Sequence, residues 1–249
     1  MYSLSMDPLL IIIAVVPALF LMVQVYRADR IEKEPLGFLG SLVLWGALST
    51  IIAVALETVG QYIISPLGQG TLIHSIVLYF IVVGLSEEVS KYVILKWRTW
   101  RSHNFNCTFD GLLYSVFISL GFALWENIQY VAMYGFQTAV IRAFTAIPGH
   151  ASFAVFMGVW YGMAKRYDFM GEHGKSKRCR WMAIIIPTIM HGIYDFTATY
   201  AGLSYVFLAF IAVMFFLAVR DVRKMSRRDK YIGTPLDESE MDNNLFNDN

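Results

Sequence analysis

Acidic and imidazole side chains sit where the surrounding sequence is apolar. Glu87 and Glu88 stand four and three residues before Lys91 in GLSEEVSKY. Glu126 stands four before Tyr130 in WENIQY, His150 follows AIPG, and His191 stands four before Asp195 in HGIYD. Residues three or four apart share one face of a helix. An ionisable group at mid-membrane costs on the order of 3 kcal/mol. Glu87, Glu88, Lys91, Glu126, His150, His191 and Asp195 would together cost roughly 15–20 kcal/mol if all faced lipid. They are expected to face one shared interior cavity instead, paired or wet.

Such a set can hydrolyse a peptide bond. Glu87 can take a proton from water and return it to the leaving amine. Glu88 is its neighbour, although adjacent helix positions point about 100° apart and need not share a proton. Lys91 can keep one of them ionised. His150 and His191 can help activate water or donate to the oxyanion. Asp195, one turn beyond His191, can fix its tautomer. A second chemistry stays open: His150, His191 and a carboxylate, Glu126 or one of the pair Glu87 and Glu88, would make a catalytic zinc site with one open position. There is no HExxH motif.

These residues need helices to carry them. The chain has 249 residues, of which 57% are hydrophobic and only 16% charged. Its mean hydropathy is +0.52. A soluble domain would carry about 25% charged residues, so this composition is that of a membrane protein. The net charge of +1 says nothing about nucleic acid, but the basic residues form only short loops and no basic domain, so no nucleic-acid partner is expected. A bilayer core asks for about 20 apolar residues per helix. Seven runs meet this: 9–25, 36–64, 72–95, 109–134, 138–165, 181–199 and 205–222. The long second and fifth runs should tilt or protrude. The polar stripes lie on the third to sixth runs.

Basic residues fall in alternate loops. Arg27, Arg30 and Lys33 follow the first run; Lys96, Arg98 and Arg101 follow the third; six cations between Lys165 and Arg180 follow the fifth; six more, from Arg220 to Lys230, follow the seventh. The intervening loops hold none except Arg142. This places the N-terminus outside and the C-terminus in the cytoplasm. The expected fold is therefore an all-α polytopic bundle of about seven transmembrane helices. It comprises one integral membrane domain over residues 1–230 and an acidic, disordered cytoplasmic tail over 231–249. The first run lacks the basic flank of a signal peptide and reads as a retained helix.

The four motifs, in this order, resemble the PrsW family of intramembrane proteases, relatives of the CAAX prenyl endopeptidases and bacteriocin-immunity proteases. The resemblance covers residues 80–196, with EExxK at Glu87, Glu88 and Lys91, FxxxE at Phe122 and Glu126, His150 after Pro148, and HxxxD at His191 and Asp195. Lys91 and Glu126 stand where the wider superfamily usually has Arg and His. The resemblance implies cleavage of a membrane-anchored protein within the lipid bilayer of the cell membrane. It also implies a role in the first cut of an anti-sigma factor during a stress response. By the same resemblance Glu87 is the base and Glu88 its partner.

Other residues have plainer readings. Gly158 and Gly162 read as helix packing, as do Ser115 and Ser119. Cys107 and Cys179 read as free thiols in loops. Asp110 reads as an N-cap or interfacial group, and Glu57 and His74 as wetted groups near the outer boundary. Trp125, beside Glu126, fits a cavity wall or a lipid contact. The fourth run, counted from residue 109, puts Glu126 about 25 Å from the cytoplasmic edge, against about 12–15 Å for Glu87 and His191. Glu126 is thus expected to be less central. The rival function is a proton-coupled transporter or ion carrier built on the same buried groups. A receptor or scaffold is the blander alternative.

Overall fold

The computed structural model describes residues 8–234, with side chains from Ile12 onward. The helices are α1 (Pro8–Ala28), α2 (Leu36–Ile64), α3 (Leu72–Val77), α4 (Ser86–Thr99), α5 (Thr108–Tyr134), α6 (Phe136–Phe144), α7 (Ala146–Phe169), α8 (His173–Thr199) and α9 (Ser204–Arg227). A π-helical segment, Leu78–Leu85, joins α3 to α4 without a break. With α6 and α7 counted together, separated only by Thr145, the described chain forms seven rods, one for each apolar run. Five of them are long and apolar enough to cross a membrane: Leu36–Leu67, Leu72–Thr99, Thr108–Tyr134, Phe136–Phe169 and Ser204–Arg227. Ile12–Ala28 is a shorter apolar helix. Among the described residues there are no strands, only one isolated bridge between Cys107 and Tyr231.

Helix α5 is the axis of the bundle, enclosed over most of its length by α1, α2, α4 and α7. Its small residues allow this. A Cβ on Gly162 of α7 would stand 2.3 Å from the Thr108 carbonyl oxygen, and one on Gly158 would stand 2.4 Å from the Leu112 Cα. The two glycines therefore let α7 meet α5 backbone to backbone, the packing role their spacing suggested. A continuous apolar core, including Leu39, Leu42, Leu95, Phe109, Leu113 and Tyr161, fills the half of the bundle next to the basic loops. Phe105 stacks on Tyr161 there at 5.3 Å. The ionisable groups of the four motifs gather in the opposite half.

Several expected details shift. Helix α8 begins at His173, not near 181, because the polar stretch HGKSKRCR already winds as helix ahead of the apolar part. Cys179 thus lies inside α8 and Cys107 at the N-cap of α5; both thiols are buried and free. Asp110 is not the N-cap but the third residue of α5. Its carboxylate accepts from the backbone N–H of Cys107 at 2.7 Å and of Asn106 at 3.0 Å. The fifth run breaks at Thr145 into α6 and α7. Beyond α9 the chain folds back: Ile232 is buried and its N–H donates to the Asn106 carbonyl at 2.7 Å. The rest of the expected tail, from residue 235, lies outside the described residues.

Candidate functional site

Glu87 and Glu88 open α4 directly after the π-helical segment. Their adjacency does not separate them, because Lys91 reaches both. Its ammonium donates to Glu87 Oε2 at 3.0 Å and to Glu88 Oε1 at 2.8 Å. All three are buried, Glu88 completely. The Lys91 Nζ also sits 4.2 Å from the centre of the Phe122 ring on α5. The Phe of the FxxxE motif thus roofs the lysine and adds a cation–π contact.

Two histidines from other helices complete the cluster. His191 of α8 places Nδ1 2.9 Å from Glu88 Oε1 and 3.9 Å from Glu87 Oε2. His150 of α7 places Nδ1 3.1 Å from Lys91 Nζ and Nε2 3.0 Å from Glu126 Oε2. An ammonium has only protons to give, so His150 Nδ1 accepts and Nε2–H donates to Glu126. The rings of His150 and His191 meet edge to face at 5.4 Å, and Phe153 stacks on His191 at 4.8 Å. Ser119 on α5 donates to the His150 carbonyl at 3.0 Å, which fixes this turn of α7. Gly192 gives α8 the room to lie against the π-helical segment: a Cβ there would stand 2.4 Å from the Phe80 ring.

All seven residues singled out in the sequence therefore meet in one region. Glu126 is joined to His150 despite its expected depth. It lies eighteen residues from the start of α5, and His191 lies eighteen from the start of α8. The mismatch came from starting the sixth helix too late. Asp195 is less tightly held than its spacing suggested, with Oδ2 3.5 Å from His191 Nε2, long for a hydrogen bond. Tyr130 makes a cation–π contact with Arg142 at 4.0 Å.

A cavity of about 340 Å³ exposes Glu87, Glu126, His150, His191 and Asp195 to one space. Among the other residues that line it are Glu57 of α2, Arg142 of α6 and Tyr194 of α8. The cost argument applied to the third to sixth runs would have found Glu57, the one acid of the second run. Arg142 had its signal as the lone cation among the non-basic loops. Trp125 does not line the cavity; it is exposed on the outside of the bundle.

The carboxylate–imidazole set suits a metal ion. Among the described residues, ligand atoms of Glu87, Glu88 and His191 lie within 4.8 Å of one another. Glu88 Oε2 is buried without a hydrogen-bond partner. Two carboxylates and an imidazole are donors that zinc takes, with a fourth position open. This group shares His191 with the expected Glu126, His150 and His191, and takes its carboxylates from the pair. Both nitrogens of His150 are already engaged, by Lys91 and by Glu126.

Comparison with known proteins shows the family of the chain. Residues 34–219 match the family described as PrsW family intramembrane metalloprotease. A relative named Protease PrsW from Clostridioides difficile (strain 630) is 34% identical over 191 residues, covering 75% of this chain and 78% of the relative. One of the same name from Geobacillus kaustophilus (strain HTA426) is 32% identical over 186 residues, with the same shares. Another, from Bacillus subtilis (strain 168), is 28% identical over 213 residues, covering 84% and 92%. No solved structure matches the chain.

Proposed function

The chain belongs to the PrsW family of intramembrane metalloproteases, a multi-pass membrane endopeptidase, and on that premise we propose that Glu87 activates the water that cuts the peptide bond. One observation carries the choice between the two carboxylates. Glu87 lines the cavity, whereas Glu88 is sealed behind it on Lys91 and His191. A water in the cavity gives a proton to Glu87 while its oxygen attacks the scissile carbonyl carbon. The carbonyl π pair moves to oxygen, and Glu87 then passes the proton to the leaving amine. Lys91 and Glu88 hold Glu87 in place. His191 donates from Nδ1 to Glu88 and turns Nε2 toward Asp195 and the cavity; as the imidazolium, with both nitrogens protonated, it can donate from Nε2 to the oxyanion. Glu126 keeps His150 oriented, and His150 holds Lys91 from the other side.

In the metal-dependent alternative, Glu87, Glu88 and His191 would hold a zinc ion in place of their present hydrogen bonds, and the ion would polarise the carbonyl and lower the pKa of water. With the basic loops in the cytoplasm, the N-terminus lies outside and the cavity lies in the outer half of the bilayer. The family resemblance further suggests a membrane-anchored anti-sigma factor as substrate. The transporter reading loses its support, since family membership makes the chain a peptidase.

Purified protein would be incubated with single-pass substrates, an anti-sigma factor among them. Glu87→Gln is expected to lower cutting by about 10³-fold or more, within the range of a lost general base. Cutting by Glu87→Gln at the normal rate would refute the assignment. Loss of cutting on chelation, restored by zinc, would establish the metal. Undiminished cutting in chelator would leave water activation to Glu87 itself.

A further inference from the structure

Arg142 has no topological reason to be where it is. It is the lone Lys or Arg between Arg101 and Lys165, and it sits at the end of the bundle away from the basic loops. A guanidinium there is costly unless something holds it. The structure shows what does. Its Nη2 donates to Glu126 Oε2 at 2.9 Å, and its Nε donates to Asn127 Oδ1 at 2.9 Å. Asn127 is fully buried and anchored in turn, donating from Nδ2 to the Ala14 carbonyl of α1 at 3.0 Å. The guanidinium lies over the Tyr130 ring at 4.0 Å. The arginine is thus fixed by two consecutive residues of α5, with an aromatic face beneath it. A planar fork meets these demands in a way a lysine cannot.

The oxygen that Arg142 grips is also the one His150 uses. Glu126 Oε2 receives both the guanidinium and His150 Nε2, and the other nitrogen of His150 receives Lys91. We propose that Arg142 is a positioning residue for peptide hydrolysis. It sets the Glu126 carboxylate against His150, and through His150 it sets Lys91 between Glu87 and Glu88. This rests on the reading of the cavity as the hydrolytic site. Arg142 is carried by α6, a nine-residue helix at the corner between α5 and α7. The corner helix therefore completes the arrangement built by α4, α5, α7 and α8.

The test compares kcat and KM for Arg142→Gln, Arg142→Lys, Glu126→Gln and the Arg142→Gln/Glu126→Gln pair, cutting one single-pass substrate. A displaced catalytic group costs up to about 100-fold in rate. Arg142→Gln should thus lower kcat by about 10–100-fold and leave KM within about twofold. Arg142→Lys, which keeps the charge but not the second hydrogen bond, should recover part of that loss. The double variant should be no slower than the worse single one, because both changes break one line of contacts. Multiplying losses, a raised KM with normal kcat, or a normal kcat in Arg142→Gln would each overturn the proposal. Should Arg142→Gln fail to fold, Asn127→Ala frees one bond of the fork, and unchanged kcat in that variant counts against it equally. Glu87→Gln is run alongside. Normal cutting by Glu87→Gln removes the site itself, whereas its inactivity beside a normal Arg142→Gln removes only the positioning role.

Discussion

Two places in this bundle bury several carboxylates, and they solve the problem differently. In the cavity, Glu87, Glu88 and Glu126 face Lys91, Arg142, His150 and His191. At the end with the basic loops, Asp110 and Asp229 face mainly backbone, with Asp29 and Glu34 buried close by. Asp110 binds the N–H groups of Asn106 and Cys107, and Asp229 Oδ1 takes the Phe109 N–H at 2.9 Å and the Thr108 hydroxyl at 3.0 Å. Lys33 spends its ammonium on the Tyr26 and Asp29 carbonyls. Both oxygens of Asp29 and one of Glu34 are buried without a hydrogen-bond partner. Burial accordingly pushes Asp29 up to about 6 and Glu34 up to about 7, and it raises Asp229 as well. Crowded carboxylates alone are thus a poor sign of chemistry. Convergent counter-charges around an open space are a better one.

The contrast can be broken at Lys91. If it neutralises the cavity acids, Lys91→Met leaves buried charges uncompensated. It should cost about 3–5 kcal/mol of stability and abolish cutting, read by denaturant unfolding in detergent and by a cleavage assay. A stable Lys91→Met protein would make the cavity resemble the other end. At that other end, Asp229→Ala removes a cap from α5 and should cost about 1 kcal/mol with kcat unchanged. A fall in kcat at constant stability would show that this end also takes part in chemistry.

A third test is a pH dependence. The folded chain holds the protons of Asp29 and Glu34 more tightly than the unfolded chain, whose values lie near 3.8 and 4.5. Native protein therefore binds more protons between about pH 4 and 7. Their contribution favours folding at the acid end, declines as pH rises through that window, and is level above it. The Asp29→Asn/Glu34→Gln variant should lose less melting temperature than wild type between pH 4 and 7. Equal slopes in the two proteins would show that these carboxyls do not carry the effect.

The helices were largely legible in the sequence, since seven apolar runs became seven rods. Pairings inside one helix were legible too, because spacing alone put Lys91 within reach of Glu87 and Glu88. Contacts between helices were not. Nothing in spacing says that His191 meets Glu88 rather than Asp195 at close range, or that His150 takes Glu126. Hydropathy also missed the first two turns of α8, which are polar and helical at once. It ran α6 and α7 together, because both are apolar across the break at Thr145. Arg142 and Glu57 stood out by the same cost that marked the motif residues, yet they belonged to no motif.

Between Leu78 and Leu85 each turn takes more residues than the α-helical 3.6. That surplus offsets the azimuth of everything after it. A helical wheel drawn straight through Leu72–Thr99 therefore aims the acid pair in the wrong direction, even though it assigns every residue to a helix. Sequence comparisons with a one-residue gap in this stretch would record a change of winding, with the rod intact and its reactive edge rotated.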